Sequence, residues 1–130
     1  MAHLSIEYSA NLEARADMAA FCEVARAAMA ATGLYPLAGI RVRAFRAEHA
    51  AIGDGGGDLG FADMVLRQAP GRSEADKARA VQAIYGALES WWRERDDGPM
   101  ALSLELVEIN YPFAEKRFNT LRAALKARDA

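Results

Sequence analysis

The chain has 130 residues, of which 52% are hydrophobic and 26% are charged, and its formal net charge is -2. This length suits a single domain, and the composition is that of a folded globular protein rather than a disordered chain. The slightly acidic balance gives no basic footprint for nucleic acid or for an anionic membrane surface, so we expect neither as a partner.

Cys22 is the only cysteine, which excludes a disulfide framework and a cysteine-based zinc site. An inert buried thiol is favoured over a catalytic nucleophile, since no base is indicated beside it. No apolar run is long enough to cross a bilayer, and residues 1–13 lack the pattern of a signal peptide. We therefore expect a cytoplasmic protein without a bound metal.

The first half of the chain is predicted to fold as strand, helix and strand. Apolar and polar residues alternate over residues 3–8, which predicts a half-buried strand that begins within two residues of Met1. Asp17 is placed as the N-cap of an amphipathic helix that ends at Gly33. Alternation returns over residues 40–48 and predicts a second strand.

The second half repeats this pattern after a glycine-rich connector at residues 51–60. A connector is favoured over a phosphate-binding loop, because neither Gly-Lys-Ser/Thr nor a helix start follows the glycines. Residues 59–68 are predicted to form the third strand, and Ser73 to begin a long amphipathic helix that ends at residues 95–99. Residues 100–110 are predicted to form the fourth strand.

The predicted fold class is α+β, with the whole chain as a single domain. Its halves, about residues 1–57 and 58–113, are two β-α-β units, and residues 114–130 form a tail. Right-handed crossovers place both helices on one face of a four-stranded sheet. Apolar residues on the strands suggest that the other face packs in a closed symmetric oligomer, and the tail is expected to reach a neighbouring subunit.

Three stretches, "HLSIEYSANL", "ATGLYPLAGIRVR" and "APGRS", closely resemble the 5-carboxymethyl-2-hydroxymuconate isomerase family of the tautomerase superfamily. The resemblance runs nearly from end to end, and "TGLYPLAGIR" is its most specific part. It implies two consecutive β-α-β units in each subunit and a homotrimer built around a barrel-like core of sheets.

The resemblance also implies a function, a cofactor-free 1,3-proton shift in aromatic degradation. A dienol acid with three carboxylates becomes its conjugated 2-oxo isomer during meta-cleavage degradation of homoprotocatechuate. In the family the base is the amine of an N-terminal proline, which is exposed when the initiator methionine is removed. Ala2 stands at that position here, while Arg41 and Arg72 match the two arginines that hold carboxylates and polarise the keto group.

Elementary chemistry is consistent with these roles. An α-amine has an ordinary pKa near 8, and nearby guanidinium groups in an apolar pocket favour its neutral form. Arginine remains charged, and its planar fork matches a carboxylate. His3 and Phe61 are further substrate-binding candidates, although a lone histidine more often satisfies local backbone groups and a strand aromatic more often belongs to the core.

Two other interpretations of the Ala2 position stay open. In the first, the protein has lost the base and keeps the anion pocket, so that it binds small di- or tricarboxylates without turnover. In the second, the same N-terminal amine serves another reaction, such as hydration or dehalogenation of a small unsaturated acid. A primary amine at Ala2 would also be able to form a Schiff base with a keto acid.

Overall fold

The computed structural model describes residues 1–128, which form a four-stranded sheet with two long helices on one face. The α+β prediction is therefore confirmed. The strands are β1 (Ala2–Ser9), β2 (Ile40–Ala47), β3 (Gly60–Gln68) and β4 (Met100–Glu108). The helices are α1 (Met18–Ala31), α2 (Glu74–Arg93) and a short α3 (Leu121–Arg128) in the tail.

The strand order is β2-β1-β3-β4. β1 pairs with β2 in parallel and β3 with β4 in parallel, which confirms the two β-α-β units. The units meet where β1 and β3 pair antiparallel. Because β1 is flanked on both sides, its first residue is fixed between two strands, with Ala2 opposite Ile40 and Gln68.

The hydrophobic core lies between the sheet and the two long helices. Alternate β1 residues, including Leu4 and Ile6, are fully buried on this side, as the sequence pattern predicts. Phe21 of α1 packs against Trp91 and Trp92 of α2, with ring centroids 5.5 and 5.9 Å away. The core therefore holds both helices against the sheet and gives the site at the start of β1 a rigid support.

Side-chain caps fix where both long helices begin. The Asp17 carboxylate accepts hydrogen bonds from the backbone N–H groups of Ala19 and Ala20 at 3.0 and 3.2 Å. Ser73 Oγ accepts from the Asp76 N–H at 3.1 Å. Both N-caps are as predicted, because short polar side chains satisfy N–H groups that lack partners within the helix.

The opposite face of the sheet is open and mostly polar. Strict alternation directs most apolar strand residues to the helix side, so the expectation of an apolar open face holds only in part. Phe45, which is 56% exposed, and Phe61 are its aromatic residues. At one end of this face a row of charged residues crosses β2, β1 and β3, where His3 pairs with Arg41 on one side and Arg67 on the other.

The tail leaves β4 and returns to the start of β2. Its helix α3 lies against the short 3-10 turn Leu37–Gly39 of the same chain. Phe113 and Phe118 remain 88% and 90% exposed. The reach of the tail to a neighbouring subunit thus stays a prediction. Across residues 1–128, no helix combines the length and apolarity that a bilayer crossing requires.

Candidate active site

A cavity of about 710 Å³ opens at the end of the sheet where β1 begins. Its walls come from the first residues of β1, the turn before β2, the end of β3 and the tail. Met1, His3 and Arg41 line it, so the structure brings together the chain end and two of the side chains expected in the site. Ala2 lies directly behind Met1 and is wholly buried in β1.

The first residue is seated against Gly39. A Cβ atom at position 39 would lie 3.1 Å from the Met1 Cα and 3.2 Å from the Met1 nitrogen, closer than side chains normally approach. The Met1 carbonyl accepts a hydrogen bond from the Ala69 N–H at 3.3 Å. Removal of Met1 would leave the Ala2 nitrogen facing the space that Met1 now occupies.

Gly39→Ala is expected to lower the free energy of unfolding of the methionine-retaining chain by up to about 1 kcal/mol, because the chain end must shift by a few tenths of an ångström. Urea unfolding measures the change. Gly86→Ala in α2 is the matched control: its new methyl meets no atom within 4 Å. It should raise stability by about 0.5–1 kcal/mol.

In the methionine-free chain the penalty at position 39 should disappear. The two close contacts of the added Cβ are both with Met1 and are lost with it. The third contact, with the Ala2 nitrogen, is at an ordinary van der Waals distance of 3.8 Å. If Gly39→Ala destabilises both forms of the chain equally, Met1 does not sit against this glycine in solution.

The cavity lowers the pKa of the terminal amine below its ordinary value of 8.0. Burial is the largest cause, and the positive charges of Lys116, Arg72, Arg41 and Arg122 add to it. Both effects disfavour the ammonium form. A larger share of the amine is therefore neutral, and able to accept a proton, near neutral pH.

His3 lies between two guanidinium groups. Its Nε2 is 3.0 Å from Arg41 Nη1 and its Nδ1 is 3.3 Å from Arg67 Nη2. Burial, followed by the charges of these two arginines, lowers the pKa of His3 to about 4. The imidazole is therefore neutral at neutral pH, with one nitrogen that donates and one that accepts.

The cavity is strongly cationic although the chain carries a net charge of -2. One acidic residue, Glu115, faces five basic residues along its lining. These five are Arg41, Arg67, Lys116, Arg117 and Arg122. Such a concentration of positive charge attracts anions and favours a ligand with several carboxylates.

Arg72 and Phe61 are not among the residues that line this cavity. The Arg72 guanidinium donates to the carbonyls of Leu34 and Ala69 at 3.0 and 3.3 Å and lies over the Tyr35 ring. Its positive charge lowers the pKa of the Met1 amine, although Arg72 does not line the cavity. Phe61 stands at the opposite end of β3 from Arg67, roughly 20 Å along the strand.

Sequence reasoning missed Arg67 and the basic residues of the tail. Arg67 comes beside His3 through the antiparallel register of β1 and β3, which joins residues 64 positions apart. Alternation does predict which face Arg67 occupies, but not the residue opposite it. Lys116 and Arg122 reach the cavity because the tail folds back toward the start of β2, and no local pattern signals that return.

Comparison with known proteins then identifies the family. The family model described as 5-carboxymethyl-2-hydroxymuconate isomerase matches residues 2–125, nearly the whole chain. The chain belongs to the 5-carboxymethyl-2-hydroxymuconate isomerase family. The resemblance drawn from the three sequence stretches is thereby confirmed, and so is the isomerase class of the protein.

Family relatives match along the full length. The 5-carboxymethyl-2-hydroxymuconate Delta-isomerase of Escherichia coli is 28% identical over 127 residues, covering 97% of this chain and 100% of that protein. A crystal structure of a 5-carboxymethyl-2-hydroxymuconate delta-isomerase has 33% identity and a TM-score of 0.84, covering 96% of this chain and 93% of its own. The isomerase from Deinococcus radiodurans R1 has 25% identity and a TM-score of 0.80, with 95% and 93% covered.

More distant structures share the fold alone. A fused 4-OT described as a wild-type symmetric trimer has 19% identity and a TM-score of 0.66, covering 94% of this chain and 98% of its own. This likeness shows that the isomerase-family chain described here and the fused 4-OT share a fold. Among residues 1–128, no group of three His, Cys, Asp or Glu side chains is arranged to hold a metal ion.

Proposed function

We propose that this isomerase-family chain catalyses a cofactor-free proton shift from the enol hydroxyl to a diene carbon of a 2-hydroxymuconate-type dienol carboxylate, with 5-carboxymethyl-2-hydroxymuconate as the model substrate. The observation that carries the proposal is the seating of the chain end in a cationic cavity, where burial and nearby positive charges lower the pKa of the Met1 amine. The Ala2 amine would face the same charges once Met1 is removed. A neutral amine beside fixed positive charges suits proton transfer on a polycarboxylate.

In the proposed reaction, the terminal amine is the general base and Met1 has been removed, so that the amine belongs to Ala2. The neutral amine accepts the hydroxyl proton as the C2–O bond becomes a carbonyl and the C2=C3 double bond moves to C3=C4. The electron pair of the C4=C5 double bond then takes a proton from the ammonium at C5. Bonds and protons balance within the substrate. No oxidant or cofactor is consumed.

The two arginines predicted from the family resemblance have different proposed roles. Arg41 lines the cavity and is placed to bind a substrate carboxylate or the oxygen that develops negative charge. Arg72 donates to two backbone carbonyls, so its contribution is to disfavour the ammonium form of the terminal amine through its charge. Its direct contact with substrate would require those hydrogen bonds to break.

We also propose that the protein is a cytoplasmic homotrimer of single-domain subunits. The symmetric trimer named for the fused 4-OT structure supports this assembly, because the two proteins share a fold. Phe61 can wall a cavity in this arrangement only from a neighbouring copy, since it lies far from the cavity of its own chain.

Binding without turnover is the second candidate function. The burial of Ala2 favours it for any chain that retains Met1, because the Ala2 nitrogen is then an amide within β1 and cannot act as a base. The cationic cavity would still bind carboxylates. An intact mass of the natively expressed protein determines which N-terminal form exists.

Ketonisation of 5-carboxymethyl-2-hydroxymuconate tests the proposal. Methionine-free protein, checked by intact mass, should accelerate the loss of dienol absorbance well above the rate in buffer. Heat-unfolded protein at the same concentration controls for catalysis by free amines. A rate equal to that of buffer, together with measurable carboxylate binding, would reject the isomerase and favour the binding protein.

A further inference from the structure

The position of His3 leaves one guanidinium of the cavity without an acceptor. A neutral imidazole has one lone pair and one N–H, so it accepts a hydrogen bond from only one of its two arginine neighbours. The Arg41 contact at Nε2 is the shorter, 3.0 Å against 3.3 Å for Arg67 at Nδ1. We assign Nε2 as the acceptor because its contact is the shorter, and this tautomer places the Nδ1–H toward the N–H groups of Arg67, donor toward donor.

No carboxylate of the described residues forms an ion pair with the two arginines beside His3. Arg15, Arg26, Arg46, Arg79, Arg93 and Arg95 all form ion pairs within 4.0 Å. In the part of the chain that the structure describes, Arg41 and Arg67 form none, as is also true of Arg43, Arg72, Arg117, Arg122 and Arg128. Arg41 and Arg67 differ from the others because they flank the His3 ring inside the cavity. Two converging donors with no acceptor between them are the arrangement that an anion satisfies.

We propose that Arg67 and the Nδ1–H of His3 form a second carboxylate-binding pair beside Arg41, which makes the cavity selective for ligands with two or more carboxylates. The inference rests on the proposed function and adds the residues that select for polycarboxylates in the same cavity. One carboxylate binds at Arg41, and another accepts hydrogen bonds from Arg67 and His3. His3 thereby fixes the spacing between the two sites.

The strand register places the two arginines on either side of His3. Arg41, His3 and Arg67 occupy directly paired positions on three neighbouring strands, on the open face of the sheet. The two arginine side chains converge on the His3 ring, whose nitrogens lie 3.0 Å from Arg41 Nη1 and 3.3 Å from Arg67 Nη2, so the ring separates the two guanidinium groups. A ligand that bridges both arginines must carry its carboxylates on a chain of several carbons.

Calorimetry tests the proposal by comparing the affinities of the protein for two dienes that differ in one carboxylate. Sorbate and trans,trans-muconate share a six-carbon conjugated chain and carry one and two carboxylates, and neither has an enol to ketonise. Wild-type protein should bind muconate at least about tenfold more tightly than sorbate. Arg67→Gln should weaken muconate binding by about tenfold, the scale of a hydrogen bond to a charged group, and change sorbate binding by less than about twofold.

Arg43→Gln is the matched control, because Arg43 is an exposed arginine on the same face, opposite Ser5 and outside the cavity lining. It should leave both affinities unchanged within about twofold, since an exposed charge is screened by salt. Arg67→Lys keeps the charge without the planar fork and should give an intermediate affinity for muconate. Thermal unfolding checks that every variant is folded.

Three results would overturn the second carboxylate site. These are equal binding of both dienes by wild-type protein, no binding of muconate by wild-type protein, and an Arg67→Gln variant that either binds muconate normally or weakens the binding of both dienes alike. Equal weakening of both dienes would indicate general electrostatics. The same measurements distinguish failure of this site from failure of the proposed isomerase activity. If muconate selectivity depends on Arg67 and the dienol is not ketonised, the carboxylate site stands; if the dienol is ketonised and Arg67→Gln binds muconate normally, the activity stands.

Discussion

Acetylation of the N-terminal amine in the methionine-free protein is expected to reduce kcat/KM by at least about 100-fold, the usual contribution of a general base. The amide that results has no lone pair available for a proton near neutral pH. Retention of Met1 should have a similar effect, because it displaces the amine by one residue, about 3.8 Å along the chain. Dienol ketonisation by protein of verified mass measures both losses.

Muconate binding provides the control for this experiment. Because the base acts as a neutral amine, acetylation removes little positive charge from the cavity, and the affinity for trans,trans-muconate should change by less than about threefold. Full activity of the acetylated protein would exclude the chain end as the base. Ala2→Pro should raise the rate, since a secondary amine with a fixed φ is less hydrated and better oriented.

The pH dependence of kcat/KM for dienol ketonisation should report the pKa of the terminal amine. Burial and four nearby positive charges lower the pKa of the Met1 amine from 8.0. In the methionine-free protein the Ala2 amine would face the same cavity, so we expect its pKa to be lowered as well, and the base is active when unprotonated. The value of kcat/KM should therefore rise with pH and level off, with a midpoint below pH 8. A midpoint at or above that value would mean that the cavity does not lower the pKa during catalysis.

Arg41→Gln is expected to reduce kcat/KM by about 100- to 1000-fold, the typical cost of removing one donor that stabilises developing charge. Arg41 lines the cavity, contacts the His3 ring and adds to the positive field at the terminal amine. Its loss would remove the proposed carboxylate contact and would also raise the pKa of the amine. Steady-state kinetics with the dienol across pH separates the two effects.

Arg43→Gln is again the comparison, because it removes the same charge from the same strand two residues away. Its kcat/KM should stay within about threefold of the wild-type value. Equal losses in both variants would show that total charge, rather than the position of Arg41, governs the reaction. Arg41→Lys should recover only part of the activity, since lysine lacks the bidentate geometry.

Local patterns were sufficient to predict the four strands and the two long helices of this fold. Alternation over residues 3–8 predicts β1 because one face of the strand is buried, and Asp17 marks the start of α1 because helix ends need hydrogen-bond acceptors. The face that the helices cover follows from the handedness of the crossovers. These features depend on neighbouring residues and on chirality, both of which the sequence displays directly.

The candidate site depends on distant pairings and was predicted only in part. Arg41 was found through the family resemblance, whereas Arg67 reaches His3 through a register between strands that begin 58 residues apart. Arg72 was predicted to hold substrate, but its two carbonyl partners depend on how separate turns meet. Side-chain partners of this kind follow from tertiary packing, which periodicity does not encode.

The central position of β1 has a consequence for the order in which the chain can fold. β1 is the earliest strand in the chain, yet its neighbours are β2 and β3, so its ladders on both sides cannot be complete until residue 68 has been made. During synthesis it is an unpaired strand with alternating apolar residues, and such segments associate readily with other chains. The segment that carries the proposed reagent is thus the one most exposed to misassembly before the sheet closes around it.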